Sequence, residues 1–496
     1  MASIRKTKTA SGATAVQIIR YENRKVVLMK HVGSGHTPEE VAALVESGRV
    51  CLEQMTLQPS LFLKSERRTL PLATSQYIGV THQFAYECLL EITKRCGFTT
   101  HSDRALVDFA LMRLIEPASK LRSIELLKRY FKIVYARRSL HRALPHMQKR
   151  KAAMEQIAVA CAKGVLHSDL ELVLYDVTTL YFETFAADDL RIQGFSKDNK
   201  SQQPQIVIGL LVTRAGFPLG YEVFPGNTFE GNTMIPVLES FAKEHHVTTP
   251  TVVADAGMLS QTNISTLKKN GLSYIVGGRL ANCSLKMITQ IAEALHCSDG
   301  ATVRFSTPQG DLVASFSAKR FRKNTAEMNV QIEKGKKLIV KKEPGKRAKF
   351  VKRANQETYE LNTALIEKTK LLLGVKGYYT NIPEKQLSNQ AIINRYHDLW
   401  HVEQAFRMAK SDIATRPIFH YQAVAVRAHI LICFVALVIG KYLEIHVGLS
   451  IKKIIDILWS VTDATLMDTS TKETFMLRSP LNTDAQNLLK KLHMSY

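Results

Sequence analysis

The sequence predicts an α/β protein: a mixed-sheet core split by a basic insertion, with a helical region before it and a helical tail after it. Three observations carry this. Between 171 and 279, apolar β-like runs alternate with helical ones. From 281 to 369 that rhythm gives way to dense Lys and Arg. Residues 81–164, and the sequence after about 417, read as helices.

Residues 1–80 form a small α+β region. The β-like runs AVQIIRY and KVVLMKH precede TPEEVAALVESG, a helix with Thr37 as N-cap, Glu40 three residues on and Gly48 as its stop. Region 81–165 is a string of helices. THQFAYECLLEITKRCG runs from a Thr81 cap to Gly97, and SDRALVDFALMRLIEP from Ser102 to Pro117. SKLRSIELLKRYF follows, and MQKRKAAMEQIAVACAKG closes at Gly164. Short basic helices suit a DNA-binding bundle and a structural one alike.

The first part of the core spans 166–280. ELVLYDVTTLYFE is a strand, and QIVIGLLVTRAGFPLGYEVFPGN is two strands joined by RAGFP. A helix from about Gly231 to His246, the strand TVVAD, a helix ending KKNG and the strand SYIVGGR complete it. Within the insertion, 281–369, Lys319 to Arg353 holds 14 Lys or Arg against 3 Glu, a local net of +11. That density fits a phosphate track or a solvated excursion. The core resumes over 370–445. KLLLGVKGYYTN is β-like, and Ser388 caps a stretch that includes YHDLWHVEQAFRMAKSD, read as one amphipathic helix. Ile430 to Ile439 is apolar, but about half of what a bilayer span needs, and reads as a buried core helix. The tail, 446–496, reads as helical.

Composition narrows the function. The 496 residues carry 67 Lys and Arg against 44 Asp and Glu, a net of +23. Such an excess suits a large polyanion, most simply nucleic acid. Seven scattered cysteines without a CxxC pair argue against a disulfide framework or a zinc module and fit a reducing cytosol. No signal peptide and no membrane partner are expected.

Three acids stand out. Asp176 lies inside the apolar strand LVLYDVTTLYF, Asp255 ends TVVAD before Ala256-Gly257, and Glu403 is on the amphipathic helix. An acid inside an apolar strand is costly unless it is paired or binds a cation. An acid at a strand's C-terminal end is where open α/β sheets place ligands. Each also has a plain reading: a salt bridge or a hydrogen bond to Thr178 or Thr179 for Asp176, a helix cap or turn for Asp255, and an i,i+4 pair with Arg407 for Glu403. At 100° per residue, Glu403 shares its face with Ile392, Tyr396, Leu399, Trp400, Phe406, Arg407 and Lys410, so it is expected to point inward. Converging carboxylates without His or Cys favour Mg²⁺ or Mn²⁺. A two-ion site would suit in-line phosphoryl transfer.

These residues resemble the DDE transposases of bacterial insertion sequences. The similarity is to the branch with a Tyr…Arg…Glu…Lys motif and a β-rich insertion before the Glu. Tyr396, Glu403 and Lys410 fall on that spacing, whereas Leu399 stands where Arg is expected; Arg407 is a candidate substitute. LYDVTTLYFE, IGLLVTRAGFPLGYEVFPGNTFEGNT, VVADAGMLS and RLIEPASKLRSIELL fit as well, so the likeness runs from roughly 100 to 445. It implies an RNase H-like core with Asp176, Asp255 and Glu403 as catalytic and metal-binding residues. It implies Mg²⁺-dependent cutting of insertion-sequence ends, and joining of the 3′-OH to target DNA by a homodimer in a synaptic complex. It also implies a bacterial, cytoplasmic, nucleoid-associated protein. Tyr396 and Lys410 would hold phosphates of double-stranded DNA, Arg407 would add a cation, and Trp400 is a candidate for base stacking. The rival readings are a catalytically inactive DNA-binding descendant and a metal-dependent nuclease without strand transfer. A carbohydrate-active enzyme leaves the +23 charge unexplained.

Overall fold

The computed structural model describes residues 2–22, 25–56, 74–98, 104–168, 170–195, 202–245, 250–258, 260–341, 348–353 and 359–495. The chain divides into two units. Unit 1 comprises Met1–Leu89, Ile124–Tyr135 and Lys453–Tyr496, and unit 2 comprises Leu90–Ser123 and Ala136–Lys452.

In unit 1, β1 (Ala2–Lys8), β2 (Thr14–Glu22) and β3 (Lys25–Gly35) form an antiparallel meander against which α1 (Pro38–Thr56) packs. The expected capping box forms. Thr37 Oγ1 accepts from the Glu40 N–H at 3.2 Å, and Glu40 Oε2 accepts from the N–H groups of His36 and Thr37 at 2.7 and 3.3 Å. Gly48 does not stop the helix. A Cβ there would stand 3.3 Å from Ile4 Cδ1, so this glycine serves close packing on β1.

The strand β4 (Ser75–Thr81) leads into α2 (Gln83–Arg95). Gly97, at φ +97°, follows that helix as expected. The Thr81 side chain instead reaches the Asp463 carbonyl, and the Asp463 carboxylate accepts from the Phe84 N–H at 3.1 Å. The helix is thus capped by an acid 379 residues away, a partner no local pattern reveals. The Ser102 start lies outside the described residues.

Unit 2 holds the helices α3 (Arg104–Ile115), α5 (Arg137–Lys149) and α6 (Lys151–Gly164), and the start of α4 (Lys120–Phe131). The expected helix from Met147 is in fact divided at Arg150 between α5 and α6. The mixed α/β core follows as expected: β5 (Leu172–Tyr181), β6 (Gln205–Thr213), β7 (Pro218–Pro225), α7 (Met234–His245), β8 (Thr251–Ala254), α8 (Gln261–Lys269) and β9 (Ser273–Gly278). β5 is apolar on both faces because it is an inner strand, parallel to β8 and antiparallel to β6.

The stretch 281–369 differs from the β-rich expectation. It carries α9 (Leu285–Leu295), β10 (Thr302–Thr307), β11 (Gly310–Phe316), α10 (Ala318–Lys341), the short pair β12 (Val351–Arg353) and β13 (Tyr359–Leu361), and α11 (Thr363–Leu371). β10 and β11 join β14 (Val375–Thr380) in the main sheet, whose order is β10-β11-β14-β9-β8-β5-β6-β7. The basic density hides a helical period. Phe321, Met328 and Ile332 of α10 recur at helix spacing and pack with Phe350, Ile366 and Leu373.

The single helix expected around Glu403 is two, α12 (Asn389–His397) and α13 (Trp400–Ser411). Ser388 caps α12, its Oγ accepting from the Ala391 N–H at 3.3 Å. At the junction the bonds tighten to i→i+3, from Leu399 to Tyr396 and from His401 to Asp398. α14 (Ala423–Val447) is long and apolar enough to cross a membrane, yet it is buried continuously from Ala428 to Leu443 and serves as the core helix. The tail is not wholly helical. After α15 (Ile451–Trp459), β15 (Asp463–Asp468) and β16 (Thr474–Arg478) form a hairpin before α16 (Thr483–Lys491), and β15 pairs with β4.

Candidate active site

The two aspartates are brought together by strand register. β5 and β8 pair in parallel from Leu172 with Thr251 to Tyr175 with Ala254. Carried one residue further, the register sets Asp176 beside Asp255, on strands about 4.8 Å apart. The 79-residue gap between them (255 − 176) equals the register offset (251 − 172). β8 and β9 pair from Thr251 with Ser273 to Ala254 with Val276, so Gly277 comes next on the other side of Asp255. Gly277 pairs with Tyr378 of β14, and Asp176 with Leu210 of β6. One row therefore crosses the sheet on one face: Tyr378, Gly277, Asp255, Asp176, Leu210.

The face of β5 that carries Asp176 also carries Thr178 and Leu180. These two residues, with Phe406 and Lys410 of α13, line a small apolar cavity of about 40 Å³. Glu403 lies one turn before Phe406 and two before Lys410 on the same helix face. α13 packs on β5, and the Glu403 charge is felt at Tyr396 and Lys376, as that of Asp255 is. Arg214, in the β6–β7 turn, fixes the start of α13 by donating to Asp398 at 2.7 Å.

Glu403 does not point into the interior. It is exposed, as are Asp255 and Arg407, and Asp176 is half-buried. The buried side of α13 is Val402, Ala405, Phe406 and Met408. The tightened junction shifts the helix phase, so a 100° projection through residues 398–399 misplaces everything beyond it. Leu399 is buried at this junction, where an Arg would lose its solvent. Trp400 is 52% exposed, its ring against His401 at 3.8 Å. Trp459, by contrast, is stacked on His82 at 3.8 Å and flanked by Tyr130.

Tyr396 is 6% exposed, and its hydroxyl donates to Asp255 Oδ1 at 3.0 Å. Burial and the Asp255 carboxylate hold its phenol well above the usual range, with Glu403 adding to the effect. The Lys376 ammonium lies 4.4 Å from the Tyr396 ring centre, and Tyr378 meets that ring edge-on at 4.9 Å. Burial and Arg320 depress the Lys376 pKa, while Asp255 and Glu403 oppose the shift. One ammonium thus feels both Asp255 and Glu403. Sequence reasoning missed Lys376, Arg320 and Gly277. The two glycines of SYIVGGR and the lysine of GVKGYY were the available signals, and only strand pairing connects them.

Among the described residues, no group of three or more His, Cys, Asp or Glu side chains stands close enough to hold a metal. The donor chemistry nevertheless suits a hard cation. Asp176 and Asp255 are neighbours in the row, Glu403 is on the helix packed on β5, and no thiolate or imidazole lies in the row.

The Transposase DDE domain family model matches residues 167–439, more than half of the chain. The chain belongs to this family. The matched transposase domain contains Asp176, Asp255 and Glu403 and begins just before β5. Among curated proteins there is no match. Among solved structures, the chain is similar to a piggyBac transposase in a synaptic complex with hairpin DNA. The identity is 11%, covering 82% of this chain and 74% of that one, with a TM-score of 0.35, too low to carry a structural argument.

Proposed function

We propose that this member of the DDE transposase family cuts DNA at the ends of a bacterial insertion sequence and joins the freed 3′-OH to target DNA. In this reading Asp176, Asp255 and Glu403 are the catalytic carboxylates on an RNase H-like core. The observation that carries it is the register that aligns Asp176 with Asp255 under a helix bearing Glu403. The strand order β9-β8-β5-β6-β7, with β5, β8 and β9 parallel, supports the RNase H-like assignment.

The three carboxylates would hold two Mg²⁺ or Mn²⁺ ions, which supply Lewis acidity for in-line displacement at phosphorus. The chain's own residues then bind and orient the substrate. Exposed Arg407 and half-buried Lys410 extend α13 beyond Glu403 as contacts for a phosphate backbone, with Arg407 doing what Leu399 cannot. Exposed Trp400 offers an indole face for stacking a base. Lys319, Arg322, Lys323, Lys334, Lys336 and Lys337 are exposed along α10, a 24-residue helix about 36 Å long, and suit a second stretch of duplex. The partner is double-stranded DNA, held by a homodimer that pairs two ends.

The test uses a supercoiled plasmid carrying the DNA that flanks the gene. Nicking and joined products that require Mg²⁺ or Mn²⁺, and that are lost in Glu403→Ala, support the reading. Undiminished nicking by Glu403→Ala overturns the triad. Nicks without joined products would make the protein a nuclease. The absence of nicking would leave a DNA-binding descendant, the reading favoured by Leu399 in the motif.

A further inference from the structure

We propose that Tyr396 is a positioning residue for Asp255, held in place by Lys376 and admitted by Gly277, and that this three-residue seat sets the cation affinity of the site. The inference rests on the reading of Asp255 as a metal-binding carboxylate, and it gives Tyr396 a role other than contact with DNA.

The seat begins in the cross-sheet row. Between Tyr378 and Asp255 the row has no side chain, because β9 contributes Gly277 there. The Tyr396 ring fills that gap from α12, which packs on β8, β9 and β14. A Cβ on Gly277 would stand 2.5 Å from the Tyr396 hydroxyl oxygen and 3.1 Å from Cζ. It would also stand 3.1 Å from the backbone nitrogen of Ala256, next to Asp255. Only glycine leaves the hydroxyl where it donates to Asp255 Oδ1 at 3.0 Å.

Lys376 lies over the ring. Its ammonium lies 4.4 Å from the Tyr396 centroid and 5.6 Å from that of Tyr378, a cation shared between two aromatic faces. β14 is locked to β9 by the register that sets Tyr378 opposite Gly277. The seat is therefore built from a strand, a strand and a helix. One oxygen of Asp255 is pinned by a neutral donor, and the carboxylate plane is fixed before any cation arrives. Partners that orient ligating carboxylates in this way commonly change metal affinity or activity 10–100-fold when removed. A phenol so buried, with its hydroxyl turned to a carboxylate, is poorly disposed to meet a phosphate.

The test measures free Mn²⁺ by electron paramagnetic resonance with the full chain and no DNA. A second measurement is the affinity for a duplex of arbitrary sequence in EDTA. Tyr396→Phe keeps the ring and its cation but removes the hydroxyl; it should weaken Mn²⁺ binding about tenfold and leave duplex affinity unchanged. Gly277→Ala should do the same by displacing the hydroxyl. Lys376→Met should weaken binding less, and Lys376→Arg should restore it, because guanidinium also sits on aromatic faces. Unchanged Mn²⁺ binding in both Tyr396→Phe and Gly277→Ala, or lost duplex affinity in Tyr396→Phe, overturns the proposal. Asp255→Asn separates the two levels. If it abolishes Mn²⁺ binding while Tyr396→Phe leaves it intact, only the seat is wrong. If it has no effect, the metal-binding reading of Asp255 fails and the seat with it.

Discussion

Unit 2 contains two clusters of ionisable side chains built on opposite principles. Asp176 and Asp255 share one sheet face and Glu403 is on α13, which packs on β5; two of these acids are exposed and one is half-buried. Around Lys120 a set of bases is sunk in the interior. The Lys120 ammonium, 8% exposed, meets His420 Nε2 at 2.7 Å and His429 Nδ1 at 3.0 Å. His429 Nε2 reaches the Thr415 carbonyl at 2.9 Å, and Arg113 donates to the Ala414 carbonyl at 2.9 Å. Burial pushes the Lys120 pKa down to about 7; Arg113 adds to the shift and Cys433 opposes it. Burial, Lys120, His141 and Arg113 push His420 to about 4. The contrast separates charge kept at the surface, which the proposed function assigns to a ligand, from charge absorbed into packing. Changes in the first cluster should alter chemistry and spare the fold; changes in the second should do the reverse.

The largest expected effect is on the acids. Asp176→Ala, Asp255→Ala or Glu403→Ala should each lower cleavage by about a thousandfold, the scale of losing a strong electrostatic stabiliser. Glu403→Ala, at an exposed position, should shift unfolding by no more than about 0.5 kcal/mol, whereas Asp255→Ala also strands the Tyr396 hydroxyl and should cost about 1–3 kcal/mol. Normal cleavage by any one of them, or a collapsed melting transition, breaks the contrast on the acidic side.

Glu155 sharpens it, being an acid of the same unit that is interior. It is 4% exposed, accepts the Tyr221 N–H at 2.9 Å and pairs with Lys151 at 3.0 Å. Glu155→Ala should cost about 2 kcal/mol by leaving the Tyr221 N–H unpaired, while Lys151 keeps Glu222 at 3.3 Å, with Mn²⁺ affinity unchanged in the folded fraction. Urea denaturation gives the first number and metal titration the second.

On the basic side the expected signature is pH dependence. Lys120 is depressed in the folded state, so between about pH 7 and 10.5 the unfolded chain binds a proton that the native chain does not. Stability should therefore rise with pH across that window, by at most roughly 1.4 kcal/mol per pH unit. Lys120→Met should flatten the rise, and a wild-type urea midpoint that falls over the window would contradict the buried-base description. His420 predicts a separate rise from about pH 4 to 6.5, removed in His420→Gln.

The smallest effect concerns Lys410, which lies between the clusters in kind, half-buried beside Thr178 and Leu180. Lys410→Ala should reduce the salt slope of duplex binding by about one unit. An unchanged slope would assign Lys410 to packing.

The parts legible in the sequence were those written in local pattern. β5, β6 and β7, the acid inside one strand and the acid ending another could all be found from alternation and turn residues. What escaped was set across the sheet. Nothing near Gly277 announces that its missing side chain makes room for Tyr396, and nothing near Lys376 announces the ring it covers. Glu403 was located but aimed wrongly, because two residues of tighter helix between α12 and α13 change the phase. The insertion was misread for a compositional reason: Lys and Arg obscured the spacing of Phe321, Met328 and Ile332, whose burial makes α10 a helix.

The pairing of β15 with β4 has a consequence in time. β15 is the middle strand of its three-stranded sheet, and its side chain Asp463 caps α2. About 380 residues separate Thr81 from Asp463. At a synthesis rate of about 5–20 residues per second, roughly 20 to 75 s pass before the ribosome supplies the strand that β4 awaits. By then every segment of unit 2 has been made. The sheet that β4 enters is thus completed only after unit 2 has been made, and a chain made only as far as residue 462 would carry all three acids while that sheet lacked its centre.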